Sequence, residues 1–246
     1  MSLKNKAAVV TGGGSGLGRA CAIQLARDGA AVAVWDLNAQ GAEDTVRLIK
    51  SEGNRAAAYI GDASAKADID KILTRIRAEL GPILILVNNA GITGFCSFLD
   101  ITEEALERMY RINLMGPFIL TQSAMPDMLT AGWGRIVFIS SSSAQTGAIK
   151  MAHYSSSKGG IIALCKSLAR EFAGRGITVN NIPPGFIDTP MTRSSPIDVE
   201  AIAQESPMKR VGQPADIAAA CAFLASEAAG YITGQTFGVN GGRVIS

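Results

Sequence analysis

The sequence predicts an α/β fold in which a parallel sheet is covered by helices on both faces. Two observations carry that reading. Runs of about five residues that are apolar along their whole length recur through the chain, and a strand without a polar face is buried on both sides. Between these runs lie helical stretches of about 12 to 20 residues, long enough to be crossovers between parallel strands. Composition bounds the answer. The chain has 246 residues, 48% hydrophobic and 18% charged, which provides a sizeable core and argues against disorder.

The elements follow in order. Ala7 to Thr11 reads as a strand and Leu17 to Asp28 as a helix. Ala31 to Trp35 is a strand, Ala39 to Glu52 an amphipathic helix, and Ala56 to Ile60 a strand. Ala65 to Leu80 is helical, with Ser64 a candidate N-cap. Ile83 to Asn88 is a strand. Thr102 can cap the next helix, which runs to Thr130, with Glu103 and Glu104 favouring its first turn. Arg135 to Ser140 is a strand, Met151 to Ala173 a helix and Thr178 to Ile182 a strand. Pro214 opens a helix ending near Ser226, and Thr236 to Val239 is a final short strand. Phe186 to Gly212 is irregular, with at most a short helix at Val199 to Gln204, and is long enough to be a substrate loop. No linker divides the chain, so residues 1–246 read as a single domain.

Composition also excludes function classes. Lys and Arg number 23 against 21 Asp and Glu, a net charge of +2, and the basic residues are scattered. No electrostatic footprint for nucleic acid results. The chain has one histidine, His153, which reads as a surface or packing residue. Four cysteines (Cys21, Cys96, Cys165, Cys221) lie far apart and read as small, reduced, buried residues, so no metal site and no disulfide framework is expected. The N-terminus runs directly into a strand, without room for a signal peptide, and no apolar run approaches the roughly 20 residues of a membrane span. A cytoplasmic protein with no membrane partner is expected.

The first strand ends in Thr11-Gly-Gly-Gly-Ser-Gly-Leu-Gly18 and feeds a helix. A helix N-terminus points free N–H groups at such a turn and suits a pyrophosphate. The spacing of Gly12, Gly16 and Gly18 is one residue longer than the usual dinucleotide fingerprint, and a glycine-rich turn by itself could be a hinge. Its place between a strand and a helix favours phosphate binding, with Ser15 and Leu17 in the same turn. Asp36 ends the second strand, where a carboxylate can accept from both adenosine ribose hydroxyls and would repel a 2′-phosphate. The neighbouring positions that carry a basic residue in NADP sites are Leu37 and Ser15 here. NAD is therefore expected over NADP.

Tyr154 and Lys158 are four residues apart at the start of a long helix and share one face. Ser141 lies 13 residues before Tyr154, at the carboxyl end of the preceding strand, the edge where such sheets bind ligands. Taken in order, Thr11 to Gly18, Asp36, Asp62, Asn88-Asn89-Ala90-Gly91, Asn113, Ser141, Tyr154 with Lys158, and Pro184-Gly185 followed by Thr189 resemble a classical short-chain dehydrogenase/reductase along essentially the whole chain.

The resemblance implies a single doubly wound, Rossmann-type domain with a seven-stranded parallel sheet, and a homotetramer. It implies that Tyr154 is the general base in alcohol oxidation and the acid in carbonyl reduction. Ser141 would hydrogen-bond the substrate oxygen, Lys158 would bind the nicotinamide ribose and lower the Tyr154 pKa, and Asn113 would hold a water in a proton relay. Asp62 and Ala63 would meet the adenine, Asn89, Ala90 and Gly91 would line the cofactor, and Pro184, Gly185, Ile187 and Thr189 would wall the nicotinamide. The physics is compatible. A free tyrosine has a pKa of about 10, and one cation at about 4 Å supplies roughly 4 kcal/mol at an effective dielectric of about 20. Ser140, Ser142 and Ser143 flank the serine, and the 13-residue spacing selects Ser141.

Thr93, Phe95, Ser143, Gln145, Ile149, Phe186, Met191 and Ile197 are the candidates for the substrate pocket. This mostly apolar set suits a secondary alcohol or ketone on a bulky skeleton, such as a hydroxysteroid, aryl or cyclic alcohol. The alternative within the family is a 3-oxoacyl-carrier-protein reductase or a 3-hydroxyacyl-CoA dehydrogenase, which Gly176-Ile-Thr-Val and Val239-Asn-Gly-Gly242 resemble. Asp36 and the absence of a basic residue in Thr130–Gly134 count against the carrier-protein enzyme, Arg175 counts for it, and the Pro183-Pro184 pair departs from the usual single proline. A catalytically silent dinucleotide sensor is the remote alternative. Mean hydropathy of +0.22 is compatible with buried interfaces, which the resemblance places on the helices Thr102–Thr130 and Met151–Ala173.

Overall fold

In the structure, a computed structural model, residues 2–195 and 198–245 are described. Strand and helix alternate from the start: β1 (Ala7–Thr11), α1 (Gly16–Arg27), β2 (Ala31–Asp36), α2 (Ala39–Ser51), β3 (Ala56–Ile60), α3 (Lys66–Leu80) and β4 (Ile83–Asn88). Next come α4 (Glu103–Tyr110), a π-helical turn (Arg111–Met115), α5 (Gly116–Ala131) and β5 (Gly134–Ile139). The chain continues through α6 (Ser143–Thr146), α7 (Ala152–Phe172), β6 (Ile177–Ile182), α8 (Pro190–Arg193), α9 (Val199–Glu205) and α10 (Pro214–Leu224). The strands form one parallel sheet in the order β3-β2-β1-β4-β5-β6.

Side chains alternate across the sheet and build a core on each face. Val10, Val34, Val87 and Val137 pack under α1, α2 and α10. Val9, Trp35, Leu86, Phe138 and Val179 pack under α3, α5 and α7. β1, β5 and β6 are buried along their whole length and β4 at every residue but Leu84, as strands covered on both faces are.

Four expectations need correction. The final strand is not a seventh ladder strand: the segment touches β6 and its extension only at the bridges Asn181–Thr236 and Pro184–Val239. Asn181 N–H donates to Gln235 O (2.9 Å) and Phe237 N–H to Asn181 O (2.7 Å). The next donor in parallel register is residue 183, and Pro183 has no N–H. Second, Ser64 is not the cap of α3. Ala65 holds that position, while the Ser64 hydroxyl donates to Asp62 Oδ1 at 2.7 Å. Third, the helix expected from Thr102 to Thr130 starts as expected, with Thr102 accepting from Ala105 N–H at 3.2 Å, but is interrupted by the π-turn. Pro117 cannot donate to the Asn113 carbonyl, and Gly116 N–H reaches back to Arg111 O instead. Fourth, the segment from Phe186 to Gly212 holds α8 as well as α9. Thr189 caps α8 by accepting from Thr192 N–H at 3.2 Å, and Pro190 fits its first position.

Candidate active site

The chain order of the sheet reverses between β1 and β4, and parallel sheets bind ligands in the crevice such a switch opens at the carboxyl edge. A cleft of about 440 Å³ lies there. Its floor is the glycine turn. Gly12 and Gly16 adopt φ of +65° and +50°, the left-handed region that glycine enters without strain. Gly18 lies beneath the turn and does not line the cleft, since a Cβ there would fall 2.0 Å from Gly12 O. Its part is to let α1 press against the turn. Asn89 braces the turn from behind, with Nδ2 donating to Thr11 O at 2.9 Å.

Ser15, Leu17, Asp36, Leu37, Asp62 and Ala63 line one half of the cleft. Asp36 accepts from Gly14 N–H (2.8 Å) and Asn38 N–H (2.9 Å), one on each oxygen. These bonds fix the carboxylate and leave lone pairs toward the cleft. No cation among the described residues pairs with Asp36. Arg19, the basic residue of the turn's own helix, is tied beneath it to Thr45 Oγ1 (3.0 Å), Gly14 O (2.5 Å) and Gly41 O (3.4 Å). The opposite wall holds Pro184, Gly185, Ile187 and Thr189, and a Cβ on Gly16 would lie 3.6 Å from the Thr189 side chain. The turn and Thr189 thus face each other closely enough to clasp a pyrophosphate. With the Asp36 carboxylate beyond them, these residues fit a nicotinamide dinucleotide.

Ser141, Tyr154 and Lys158 line the same cleft with Ala90 and Gly91. Lys158 is buried, and its Nζ donates to Ile139 O at 3.0 Å. Burial lowers its pKa to about 8, because a desolvated ammonium has little to replace water. Desolvation pushes the Tyr154 phenol up, while Ser141 lies close enough to favour the phenolate. Lys158 Nζ is hydrogen-bonded to the Ile139 carbonyl rather than to Tyr154.

Asn113 is fully buried and lies behind the cleft wall. The π-turn aims its amide at β4's extension: Nδ2 donates to Ile92 O (2.9 Å) and Oδ1 accepts from Ile92 N–H (2.9 Å). Nδ2 also approaches Ser157 Oγ (3.2 Å) on α7. A Cβ on Gly91 would lie 2.9 Å from Asn113 Oδ1 and 3.2 Å from Lys158 Nζ. Glycine at this position is therefore what lets the amide and the ammonium converge.

The residues expected around the substrate separate. Met191 lines the cleft, while Ser143 lies outside its lining, with Oγ 2.9 Å from Ser141 Oγ. Thr93, Phe95, Gln145 and Ile149 lie outside the cleft lining, and Ile149 is 90% exposed. Phe186 faces away, into a second cavity of about 690 Å³, where Arg243 stacks on its ring at 4.4 Å. Ile197 lies outside the described residues. His153 is buried, its Nε2 3.0 Å from where a Cβ on Gly94 would be, which agrees with a packing role. Arg108 and Ile112 line the cleft and were missed. They are one helical turn apart beside Asn113, and that spacing was the available signal. No helix among the described residues is long and apolar enough to cross a membrane.

Comparison with known proteins agrees with this geometry. Residues 12–243 match the sequence profile of the family described as enoyl-(acyl carrier protein) reductase. The chain is 40% identical to the (3R)-3-hydroxyacyl-CoA dehydrogenase of Mus musculus, over 98% of this chain and 97% of that protein. It is 38% identical to the 3-oxoacyl-[acyl-carrier-protein] reductase of Pseudomonas aeruginosa over the full length of both. A crystal structure from Agrobacterium tumefaciens, provisionally described as a gluconate dehydrogenase, superposes with a TM-score of 0.94 at 31% identity and covers 99% of this chain and 98% of that one. The glycine turn, the cleft at the sheet's switch point and these full-length relatives place the chain in the short-chain dehydrogenase/reductase family of oxidoreductases.

Proposed function

We propose that the chain interconverts a 3-hydroxyacyl and a 3-oxoacyl thioester, using NAD rather than NADP. The observation that carries the cofactor half is Asp36, a fixed carboxylate without a cation, where a 2′-phosphate would otherwise sit. The substrate half rests on the full-length similarity to a (3R)-3-hydroxyacyl-CoA dehydrogenase and a 3-oxoacyl-[acyl-carrier-protein] reductase. This shifts the substrate from the bulky free alcohol expected from residue types alone. That second reading keeps one observation in its favour, the apolar Met191 in the cleft.

In this reading Tyr154 takes the hydroxyl proton of the substrate in oxidation and returns it in reduction, and Ser141 donates a hydrogen bond to the same oxygen. A bound nicotinamide would supply the acceptor for the carbinol hydride, and Tyr154 Oη would take the hydroxyl proton. Lys158 holds the nicotinamide ribose, and its pKa of about 8 suits proton exchange near neutrality. Asn113 holds the backbone at Ile92 and, through it, the relay behind Lys158. Lys158 together with the positive charge of an oxidised nicotinamide would favour the Tyr154 phenolate against the burial that pushes the phenol up.

The carrier of the thioester is proposed to be CoA. Thr130–Gly134 offers no basic residue and lies at the amino end of β5, seven residues from Ser141, or about 23 Å along a strand. The working unit is proposed to be a homotetramer, in keeping with the half-exposed Phe118 on α5. The reading is tested with a panel containing 3-hydroxybutyryl-CoA, the matching carrier-protein thioester, hydroxysteroids and cyclic secondary alcohols, each with NAD⁺ and NADP⁺. It expects the highest kcat/KM for the CoA thioester with NAD⁺. Turnover confined to free alcohols, or to NADP⁺, would overturn it.

A further inference from the structure

Ser141 has a second serine on its oxygen. Ser143, the first residue of α6, approaches Ser141 Oγ twice: its N–H donates at 3.2 Å and its hydroxyl lies at 2.9 Å. A serine hydroxyl has two acceptor sites and one proton. When Ser143 Oγ–H is the donor of the 2.9 Å bond, both acceptor sites of Ser141 are filled by one residue. Ser141 is then left with a single remaining capacity, to donate its proton. Among the described residues no backbone carbonyl accepts from Ser141 Oγ. Its proton is free to turn toward Tyr154, whose phenolate Ser141 favours.

We propose that Ser143 is a positioning residue that makes Ser141 a dedicated hydrogen-bond donor, to the Tyr154 phenolate before substrate binds and to the substrate oxygen once it is bound. The chemistry needs that polarity. A substrate hydroxyl must give its proton to Tyr154 and accept a bond from Ser141. A Ser141 turned to accept from the substrate would hold that proton in the wrong direction. Filling both Ser141 lone pairs removes the wrong orientation and polarises the remaining O–H, since hydrogen bonds in a chain strengthen one another. The backbone half of the clamp survives any side-chain change at position 143. The hydroxyl half is specific to serine or threonine.

This inference rests on the assignment of Ser141 and Tyr154 as the groups that meet the substrate oxygen. Tyr154→Phe tests that assignment separately: if it leaves turnover unchanged, the functional reading fails before Ser143 is considered. The test of Ser143 compares Ser143→Ala and Ser143→Thr in the wild-type and Ser141→Ala backgrounds. Oxidation of 3-hydroxybutyryl-CoA by NAD⁺ is followed across pH, or oxidation of the free alcohol from the panel that the wild type turns over best. Ser143→Ala is expected to lower kcat about tenfold, with KM for NAD⁺ unchanged. It should also move the acidic limb of the pH profile upward, because Ser141 would stabilise the phenolate less well. Ser143→Thr should restore both. In the Ser141→Ala background neither change should matter, because Ser143 acts through Ser141. An unmoved acidic limb, a loss that threonine does not restore, or a loss that persists when Ser141 is absent would each overturn the proposal.

Discussion

Arg135 and Lys158 are both buried cations beside β5, at its opposite ends, and their surroundings differ in kind. Arg135, near the amino end, is 3% exposed. Its guanidinium donates to Ser226 O (3.1 Å), Gly134 O (2.9 Å) and Gly176 O (3.3 Å). It stacks on Trp133 at 4.3 Å, with Lys6 also 4.3 Å from the ring centroid. Glu227 lies 3.6 Å away and is held below the usual carboxylate range by the Trp133 indole N–H and then by Lys6 and Arg135. Lys158, at the carboxyl end, has one carbonyl partner and, among the described residues, no carboxylate. Burial lowers the pKa of both groups, but a guanidinium starts so high that it stays charged. An ammonium reaches about 8 and can lose its proton. One end of the strand holds a cation for the sake of the fold. The other holds a cation with one carbonyl partner, at the cleft.

The largest way to break the comparison is chemical. Tyr154→Phe is expected to lower turnover about 1,000-fold and leave NADH binding intact, as read by steady-state rates beside fluorescence titration. Weakened NADH binding in parallel with the lost rate would place Tyr154 in binding, not proton transfer. Arg135→Met addresses the other end of the strand. It removes a donor from three carbonyls, of which Gly176 O keeps Gly134 N–H, and a loss of about 3 kcal/mol in urea unfolding is expected, with kcat/KM unchanged. A fall in activity at constant stability would show that the amino end is not merely structural. Asp36→Asn sharpens the cofactor assignment within the carboxyl edge. Loss of the charge should reduce the preference for NAD⁺ over NADP⁺ roughly tenfold, the scale of one charge-assisted hydrogen bond. An unchanged ratio would move the discrimination elsewhere.

Much of the carboxyl edge was legible from residue order. The bounds of β1, β3 and β4 were legible to the residue; β1 and β4 are apolar runs covered on both faces, while in β3, at the sheet's edge, Ile60 is exposed. The glycine turn, Asp36 and the Tyr154–Lys158 pair were legible because each depends on local spacing. What depended on hydrogen-bond register was not. Pro117 was visible, but its missing donor acts four residues back, on the carbonyl of Asn113, and the resulting π-turn sets where that amide points. Pro183 likewise stops a ladder whose existence depends on a segment more than fifty residues later. The directions of Phe186 and Ile149 lay in loops, where no period relates one side chain to the next.

Lys158→Met tests most directly whether the carboxyl edge trades fold stability for a cation that can lose its proton. A folded pKa of about 8, below the ordinary 10.5, means that the unfolded chain holds this proton more tightly. The site therefore opposes folding fully below pH 8, and the opposition fades as pH rises from 8 to 10.5. The shift corresponds to about 3 kcal/mol, of which losing the bond to Ile139 O removes about 1 kcal/mol. Urea unfolding of the cofactor-free protein at a series of pH values is the measurement. Lys158→Met should be inactive and about 2 kcal/mol more stable than the wild type at pH 7, with the advantage gone by pH 10.5. A variant less stable than the wild type at pH 7, or a difference that does not change with pH, would contradict the account.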